Sequence, residues 1–372
     1  MPAPGRFFSL LGCALGSLLG CGARSAVDAW DDPSDAVFPW ESTNLSGHTR
    51  RPSECVQNWR TLHESRGPFP PALAVASGEV VYGEPAGPAS APRISALDVT
   101  SAATPPRLIR TGLSYDDLWL DGDRLLVWTQ GQLVSVPLDG GGEQLVLNAR
   151  GTDPSTVVGP MLVERDAFYW TRKSAAAPLL EIWRQSREGG SAEHIASIDD
   201  LRFDAQLMAA TDELVIIAAG VSGAVVPLEG GPVLSLAAVD DGQLAGIDRL
   251  GAYYSRASNR TRRGGRALEF ELRRAPADGS PTTRFWGRSA GHRLDRIWPA
   301  DSGWIATGAY YMFDRKPHGV IAHIDENGDE LLIACDRDDN FVISRPVYWD
   351  GAFYAVTSAG DAWRIVEIRL PE

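Results

Sequence analysis

The chain has 372 residues, 44% hydrophobic and 22% charged, so it can bury a substantial core and is not intrinsically disordered. Its 48 acidic side chains outnumber 35 Lys and Arg, for a formal charge of −13, which argues against nucleic acid or an anionic lipid surface as a partner for the whole molecule. Twelve Trp, 38 Gly and 25 Pro favour many short strands joined by tight turns over long helices.

The first 20 residues read as a targeting segment. Phe7–Gly20 is an uncharged apolar run of 14 residues after Arg6, too short to span a bilayer, which takes about 20 residues. It ends in Leu18-Leu19-Gly20-Cys21, which resembles a bacterial lipobox, whose Cys is acylated and becomes the new N-terminus. The resemblance implies lipidation at Cys21, and Gly22 in place of Asp favours the outer membrane. The alternative is a plain secretory signal that happens to contain a Cys.

The predicted domains are a signal peptide over 1–20, an acylated Cys and flexible tether over 21–53, and a folded domain over 54–372. The tether is rich in Ser, Asp, Pro and Gly and lacks periodicity. No later stretch approaches 18 consecutive apolar residues, so lipid is the only predicted membrane anchor. In an exported compartment the remaining cysteines, Cys55 and Cys335, favour a disulfide. Two buried free thiols are the alternative, since neither Cys has a metal-ligand spacing around it.

From Pro71 onward a pattern of four short strands recurs about every 45 residues. In one unit Leu118–Leu120 precedes the turn Asp121-Gly122-Asp123, then Leu125–Trp128, Leu133–Leu138 and Gln144–Leu147 follow. A large apolar residue marks the second strand of each unit. These seven markers, 37 to 57 residues apart, are Tyr82, Trp128, Trp170, Ile217, Tyr254, Tyr311 and Tyr354.

This repeat predicts an all-β fold, a β-propeller with four-stranded blades. Seven blades fit best, six or eight remain alternatives, and a stacked solenoid is the structural runner-up. The strands are almost continuously apolar, as expected when both sheet faces are buried between blades. The last unit lacks a fourth strand, and we expect Val56–Leu62, with Trp59, to supply it and close the ring.

Two strands carry a resemblance to known propellers. Leu126-Val127-Trp128-Thr129 and Phe168-Tyr169-Trp170-Thr171 each precede a hairpin that contains Gly-Gly. They resemble the repeats of bacterial TolB-like and YWTD-like propellers over roughly Pro71 to Pro371. The resemblance implies the propeller fold and, in broad terms, the binding of protein or glycan partners.

Catalytic motifs are absent from the sequence. None of the six His has a metal-ligand spacing, and no nucleophile elbow, phosphate-binding loop or dinucleotide fingerprint occurs. The predicted inner strands, such as Leu118-Trp119-Leu120, are apolar. We therefore predict no catalytic residue and no cofactor, and leave metal binding open. The competing hypothesis is a polysaccharide lyase or glycoside hydrolase, which would need convergent carboxylates or a His/carboxylate metal cluster in the channel.

Paired acids fall where one predicted blade crosses to the next. The four pairs are Asp116 and Asp117, Asp199 and Asp200, Asp240 and Asp241, and Asp338 and Asp339. Crossings of this kind share one face of a propeller, so the pairs are candidates for holding a cation or a cationic partner. The alternative is that Asp is simply favoured in turns.

Five arginines fall within eleven residues of the fifth unit, in what reads as a long connection between its second and third strands. They are Arg256, Arg260, Arg262, Arg263 and Arg266. On an acidic protein they are candidates for docking carboxylates, phosphates or lipopolysaccharide, and 314–318 in the matching loop of the next unit would extend the patch. A solvated insertion loop is the alternative. The sequence thus predicts a non-catalytic binding or scaffold lipoprotein of the bacterial envelope, whose partner is an envelope protein or glycan.

Overall fold

The computed structural model describes residues 59–369 apart from short gaps. The gaps are 68–69, 71, 88–89, 102–103, 152–155, 174–178, 199–205, 220–221, 237–241, 263–264, 290–291, 301, 312–316, 329, 336–343 and 360–361. The chain forms 28 strands in seven four-stranded antiparallel sheets. The protein is a seven-bladed β-propeller, which confirms the predicted fold and blade number.

The first six blades are continuous in sequence. Blade I is β2 (Leu73–Ala76), β3 (Glu79–Glu84), β4 (Arg93–Asp98) and β5 (Arg107–Thr111); blade II is β6 (Asp117–Asp121), β7 (Arg124–Thr129), β8 (Gln132–Pro137) and β9 (Gln144–Asn148); blade III is β10 (Val157–Val163), β11 (Ala167–Lys173), β12 (Leu180–Ser186) and β13 (Glu193–Ile198). Blade IV is β14 (Leu207–Ala210), β15 (Leu214–Ala219), β16 (Ser222–Pro227) and β17 (Leu234–Leu236); blade V is β18 (Gln243–Asp248), β19 (Gly251–Arg262), β20 (Gly265–Pro276) and β21 (Thr283–Ser289); blade VI is β22 (His292–Ala300), β23 (Gly303–Tyr311), β24 (Pro317–Ile324) and β25 (Glu330–Cys335).

Blade VII joins the two ends of the chain. It consists of β26 (Val347–Trp349), β27 (Ala352–Ala359), β28 (Ala362–Arg369) and, as its outer strand, the N-terminal β1 (Trp59–Ser65). The closing strand was predicted, but β1 extends three residues further than expected, and Val56–Asn58 lie outside the described residues. All seven second-strand markers lie in second strands, as the repeat predicted.

The core is divided into seven apolar clusters, one at each interface between neighbouring blades. Alternate residues of one strand serve different interfaces. In β7, Leu125 and Val127 pack against blade I, whereas Leu126 and Trp128 pack against blade III. Because successive side chains point to opposite faces of a strand, a strand buried on both faces must be apolar throughout.

The propeller has two faces, which differ in the connections they carry. We call the face with the turns between second and third strands and the crossings between blades the upper face; Gln130-Gly131 lies there. The opposite, lower face carries the turns after the first and third strands, such as that at Gly122. In β1, Trp59 pairs with Ile368 and Ser65 with Trp363. Since β28 runs from the upper to the lower face, the chain enters the propeller at Trp59 on the lower face.

Polar and aromatic contacts hold the closing strand in place. The buried Glu367 of β28 accepts hydrogen bonds from Arg60 Nε (2.8 Å) and Arg369 Nε (2.7 Å). Arg60 also donates through Nη2 to the carbonyl of Val99 in blade I (2.6 Å). Leu62 is buried in the interface between blades VII and I. The closing strand is therefore tied both to the rest of blade VII and to blade I.

His63 lies at the same interface between blades VII and I. Its ring lies 5.4 Å from that of Trp363 and 5.6 Å from that of Tyr82. Burial lowers the pKa of His63, and the nearby Glu84 carboxylate only partly offsets this. The imidazole of His63 at this interface is therefore neutral at pH 7.

This placement predicts an acid-sensitive component of stability. The unfolded chain takes up a proton at His63 near pH 6.5, the folded chain only at lower pH, so the free energy of unfolding should fall as pH drops from about 6.5 to the folded pKa and then level off. Equilibrium denaturant unfolding of wild type and His63→Phe across this range checks it, since Phe preserves the ring contacts without titrating. The wild type should lose more stability on acidification than the variant. Equal losses would contradict the prediction.

Candidate functional site

Charged residues from blades that are not neighbours lie at the ends of the inner strands, around the propeller axis. Arg345, just before β26 in blade VII, lowers the pKa of both Asp117 in blade II and Glu164 in blade III. Each of the three lies at or next to an end of an inner strand, so they are placed around the mouths of the central channel. The ends of the inner strands are therefore charged; the middle of an inner strand is apolar in β14 but carries Asp295 and Arg296 in β22.

Asp117 lies at the upper mouth of the channel. It is the first residue of β6, and its Oδ1 accepts a hydrogen bond from the Leu118 amide (2.9 Å). Burial raises the pKa of Asp117, the Arg345 guanidinium partly offsets this, and Asp116 adds to the rise. Asp117 is thus a carboxyl group that takes up a proton more readily than an exposed Asp.

Glu164 lies at the lower mouth of the channel, directly after β10. Arg249, in the turn after β18 of blade V, approaches it with an Nη2–Oε2 distance of 3.9 Å. Burial is the largest influence and raises the pKa of Glu164; Arg249 lowers it, and Asp166 and Asp212 raise it. Blades II, III, IV, V and VII thus all carry charged residues at or near an end of an inner strand, and Asp166 is also paired with Arg184 (3.4 Å).

The predicted pair Asp116 and Asp117 does not act as a unit. Asp116 Oδ2 accepts a hydrogen bond from the Gln130 amide (3.0 Å) and so fixes the turn between β7 and β8, whereas Asp117 is part of the channel. Asp116 is therefore explained by the preference of Asp for turns. A role in binding a ligand stays a prediction for Asp117. The other three pairs, Asp199 with Asp200, Asp240 with Asp241 and Asp338 with Asp339, lie outside the described residues.

The arginine cluster lies mainly in strands, which corrects the prediction of a long connecting loop. The strands β19 and β20 have 12 residues each and pair from Gly251 and Pro276 to Arg262 and Gly265. The corresponding strands of blade II have six. At about 3.3 Å per residue the blade V hairpin extends roughly 20 Å further. We call its outer part, residues 256–271, the ribbon.

The register arranges the arginines along the ribbon. Arg256, Arg260 and Arg262 occupy even positions of β19 and thus one face of the ribbon, because positions alternate between the two faces. Arg266 pairs with Thr261 and belongs to the other face. Extended cross-strand pairing, which continues to Arg262, explains why this segment is not a loop. Arg263 and residues 314–316 lie outside the described residues, and His318 pairs with Tyr310 in blade VI.

Sequence reasoning missed three of the channel charges: Glu164, Arg249 and Arg345. The signal available was position, since Glu164 and Arg249 directly follow the last residue of an inner strand and Arg345 stands two residues before one. Nothing in their residue types distinguishes them from ordinary turn residues, and only the closed ring brings them together.

No group of three or more His, Cys, Asp and Glu side chains is placed to hold a metal ion in the described part of the chain. Among the same residues no helix is long and apolar enough to cross a membrane. Cys335 ends β25, whereas Cys21 and Cys55 lie outside the described residues. Lipidation at Cys21 and the Cys55–Cys335 disulfide stay predictions.

Comparison with known proteins supports the fold. No protein-family profile and no curated protein sequence matches the chain. Among solved structures, an oligogalacturonate lyase in complex with manganese is 12% identical, with a TM-score of 0.55, over 86% of this chain and 96% of the other. The oligogalacturonate lyase of Vibrio parahaemolyticus is 10% identical, with a TM-score of 0.57, over 86% and 97%. At such low identity these similarities establish a shared β-propeller architecture.

Proposed function

We propose that this protein is a non-catalytic binding module of the bacterial envelope, anchored through Cys21, which docks carboxylate- or phosphate-bearing partners on its ribbon. The observation that carries the proposal is the register of β19 and β20, which aligns three arginines on one face of a projecting hairpin. Guanidinium groups bind carboxylates and phosphates through paired hydrogen bonds. On a chain with a formal charge of −13, such a concentration of positive charge is a specific feature.

The position of the anchor supports this proposal. The chain enters the propeller at Trp59 on the lower face, and the ribbon projects from the upper face. A tether that attaches at the lower face leaves the ribbon on the side away from its attachment point. The ribbon would then be accessible to components of the periplasm or the cell surface.

The test is binding of the full-length chain to defined polyanions, polygalacturonate and lipopolysaccharide, with dextran as the uncharged control. The ribbon variant Arg256/Arg260/Arg262→Gln is compared with a charge-matched control, Arg66/Arg150/Arg165→Gln, whose three residues are exposed elsewhere. Wild type and control should bind at least one polyanion with the same affinity. The ribbon variant should bind it at least tenfold more weakly, as expected when charge-assisted hydrogen bonds are lost. Equal binding by all three proteins would contradict the proposal.

A lyase or glycoside hydrolase is the second candidate, and the channel favours it specifically. Asp117 and Glu164 are carboxyl groups at inner-strand ends whose pKa burial raises, and catalytic acids and bases are commonly tuned in this way. Two solved structures of similar fold are oligogalacturonate lyases. Shortening of oligogalacturonate by wild type, lost in Glu164→Gln, would replace the binding-module proposal with this one.

A further inference from the structure

The ribbon has one edge that no described strand covers. β18 pairs with β19 only as far as Ser255, which lies opposite Gln243, whereas β20 pairs with β19 up to Arg262. Residues 256–262 of β19 therefore have β20 on one side and, within the described ranges, no partner strand on the other. An edge of this kind presents a row of amides and carbonyls on which another chain can pair.

The register shows which backbone groups of β19 bond to β20. Successive residues of a strand direct their N–H and C=O groups to opposite sides. Gly251 lies opposite Pro276, which has no N–H to donate, so this pair cannot exchange two hydrogen bonds. The next pair does bond, since the Ala277 amide donates to the Leu250 carbonyl (2.9 Å). The even-numbered residues of β19 therefore bond to β20.

The odd-numbered residues of β19 direct their backbone groups to the opposite side. β18 pairs with this side as far as Ser255. Beyond it, the same row continues along the open edge at Ala257, Asn259 and Thr261. A strand laid against these residues would continue the ladder that β18 forms with the lower part of β19.

The open edge is also positively charged. Residues 256–262 include three arginines and no acid, and all three arginines occupy one face of the ribbon. The acids of that face, Glu269 and Glu271, belong to β20 on the far side of β19, and Glu271 accepts a hydrogen bond from Arg273 Nε (2.8 Å). Residues directly opposite each other in a strand pair share a face. Every second residue of an added strand would thus lie on the arginine face.

This charge pattern selects among the chains that could pair there. Two copies of β19 paired antiparallel about Asn259 would place Arg262 of one copy opposite Arg256 of the other. Like charges directly opposite each other destabilise a strand pair, and charged edges are a common protection against self-pairing. A strand with carboxylates at alternate positions would instead form opposite-charge pairs.

We infer that the open edge of β19 receives an extended polypeptide segment as an added strand, with acidic residues at alternate positions opposite Arg260 and Arg262. Backbone hydrogen bonds supply the affinity in binding by strand addition, and side chains at alternate positions supply the specificity. The inference rests on the proposed function and deepens it, because it names the ribbon's partner as an acidic polypeptide strand.

The probe is a capped, fluorescently labelled peptide of alternating Thr and Glu, eight residues long, which presents its carboxylates on one face in either strand direction. Its binding to the full-length chain is measured by fluorescence anisotropy at low salt. The comparison peptide has the same sequence with methyl groups on its backbone nitrogens, so it keeps the charges and loses the donors. We expect the methylated peptide to bind at least tenfold more weakly.

A variant of the edge tests the same contact from the side of the protein. Asn259→Pro removes one outward amide, and proline is tolerated where the N–H points away from a sheet edge. It should weaken binding of the unmodified peptide at least tenfold. It should leave binding of the polyanion that wild type prefers unchanged, which shows that the ribbon is intact. Asn259→Ala keeps the amide and should bind the peptide like wild type.

Three results would overturn the inference: no binding of the unmodified peptide at millimolar concentration, equal binding of the methylated peptide, or unchanged binding by Asn259→Pro. The ribbon variant separates this failure from that of the proposed function. Equal binding of both peptides by wild type, lost in the ribbon variant, would refute strand addition and leave anion docking in place. Peptide binding that is lost in Asn259→Pro and unchanged in the ribbon variant would contradict the role of the arginines, and with it the proposed function.

Discussion

A chain that begins at Gly67 should lose most of the stability of one that begins at Glu54, because without β1 the ring cannot close. Removing β1 exposes the Leu62 pocket, leaves Glu367 without Arg60 and leaves β28 as an open sheet edge. Burying a leucine is worth about 2 kcal/mol and each charge-assisted hydrogen bond roughly 1.5–3 kcal/mol. We expect a loss on the order of 5 kcal/mol or more, measured by denaturant unfolding.

Two controls separate closure from chain shortening. Removal of the tether alone should leave the unfolding midpoint unchanged. A synthetic peptide of residues 54–66, added to the shortened chain, should raise its midpoint in a concentration-dependent way, as a ligand that binds only the folded state does. If the chains that begin at Glu54 and Gly67 unfold at the same denaturant concentration, β1 does not close the propeller.

Asp248→Ala should be the most damaging single substitution in the interface between blades V and VI. Asp248 is buried, and its carboxylate accepts four hydrogen bonds. The donors are the amides of Leu250 (2.7 Å) and Gly251 (3.2 Å), the Tyr253 hydroxyl (2.9 Å) and Trp304 Nε1 (2.7 Å). Its loss leaves all four donors without this acceptor, and three of the four hydrogen bonds are buried, so we expect a cost of about 3–5 kcal/mol.

Trp304→Phe is the matched comparison, since it removes the one donor from blade VI and keeps an aromatic ring in place. It should cost about 1–2 kcal/mol. In a double-mutant cycle the two substitutions should be strongly non-additive, because they share a hydrogen bond. Two results would contradict this account: additive losses in the free energy of unfolding, or a loss below about 1 kcal/mol for Asp248→Ala. Either would show that the Asp248 carboxylate does not hold the two blades together.

The architecture was predictable because a propeller repeats one local pattern. The markers Tyr82 through Tyr354 all lie in second strands, since each blade must bury both faces of the same strands. The closing strand was predictable for the related reason that a three-stranded final blade leaves an unpaired edge. Trp59, with Val56 and Leu62 three residues to either side, was the available candidate for pairing with that edge.

The site was less predictable, because it depends on closure of the ring. Glu164, Arg249 and Arg345 come from blades far apart in sequence, and no spacing rule relates them. The ribbon was missed for a local reason. Arg260 to Arg266 is a charged, glycine-containing stretch typical of a loop, yet the pairing that starts at Gly251 continues to Arg262 and Gly265. Extended cross-strand pairing overrode local composition.

Capture of partners from envelope extract tests the central claim most directly. Full-length wild type, the ribbon variant and the charge-matched control are immobilised side by side, and the captured protein and glycan are each identified. We predict one discrete anionic component on wild type and control that is absent from the ribbon variant and released by raising the salt concentration. Equal capture of the same component by all three proteins would contradict the assignment of the ribbon as the docking surface.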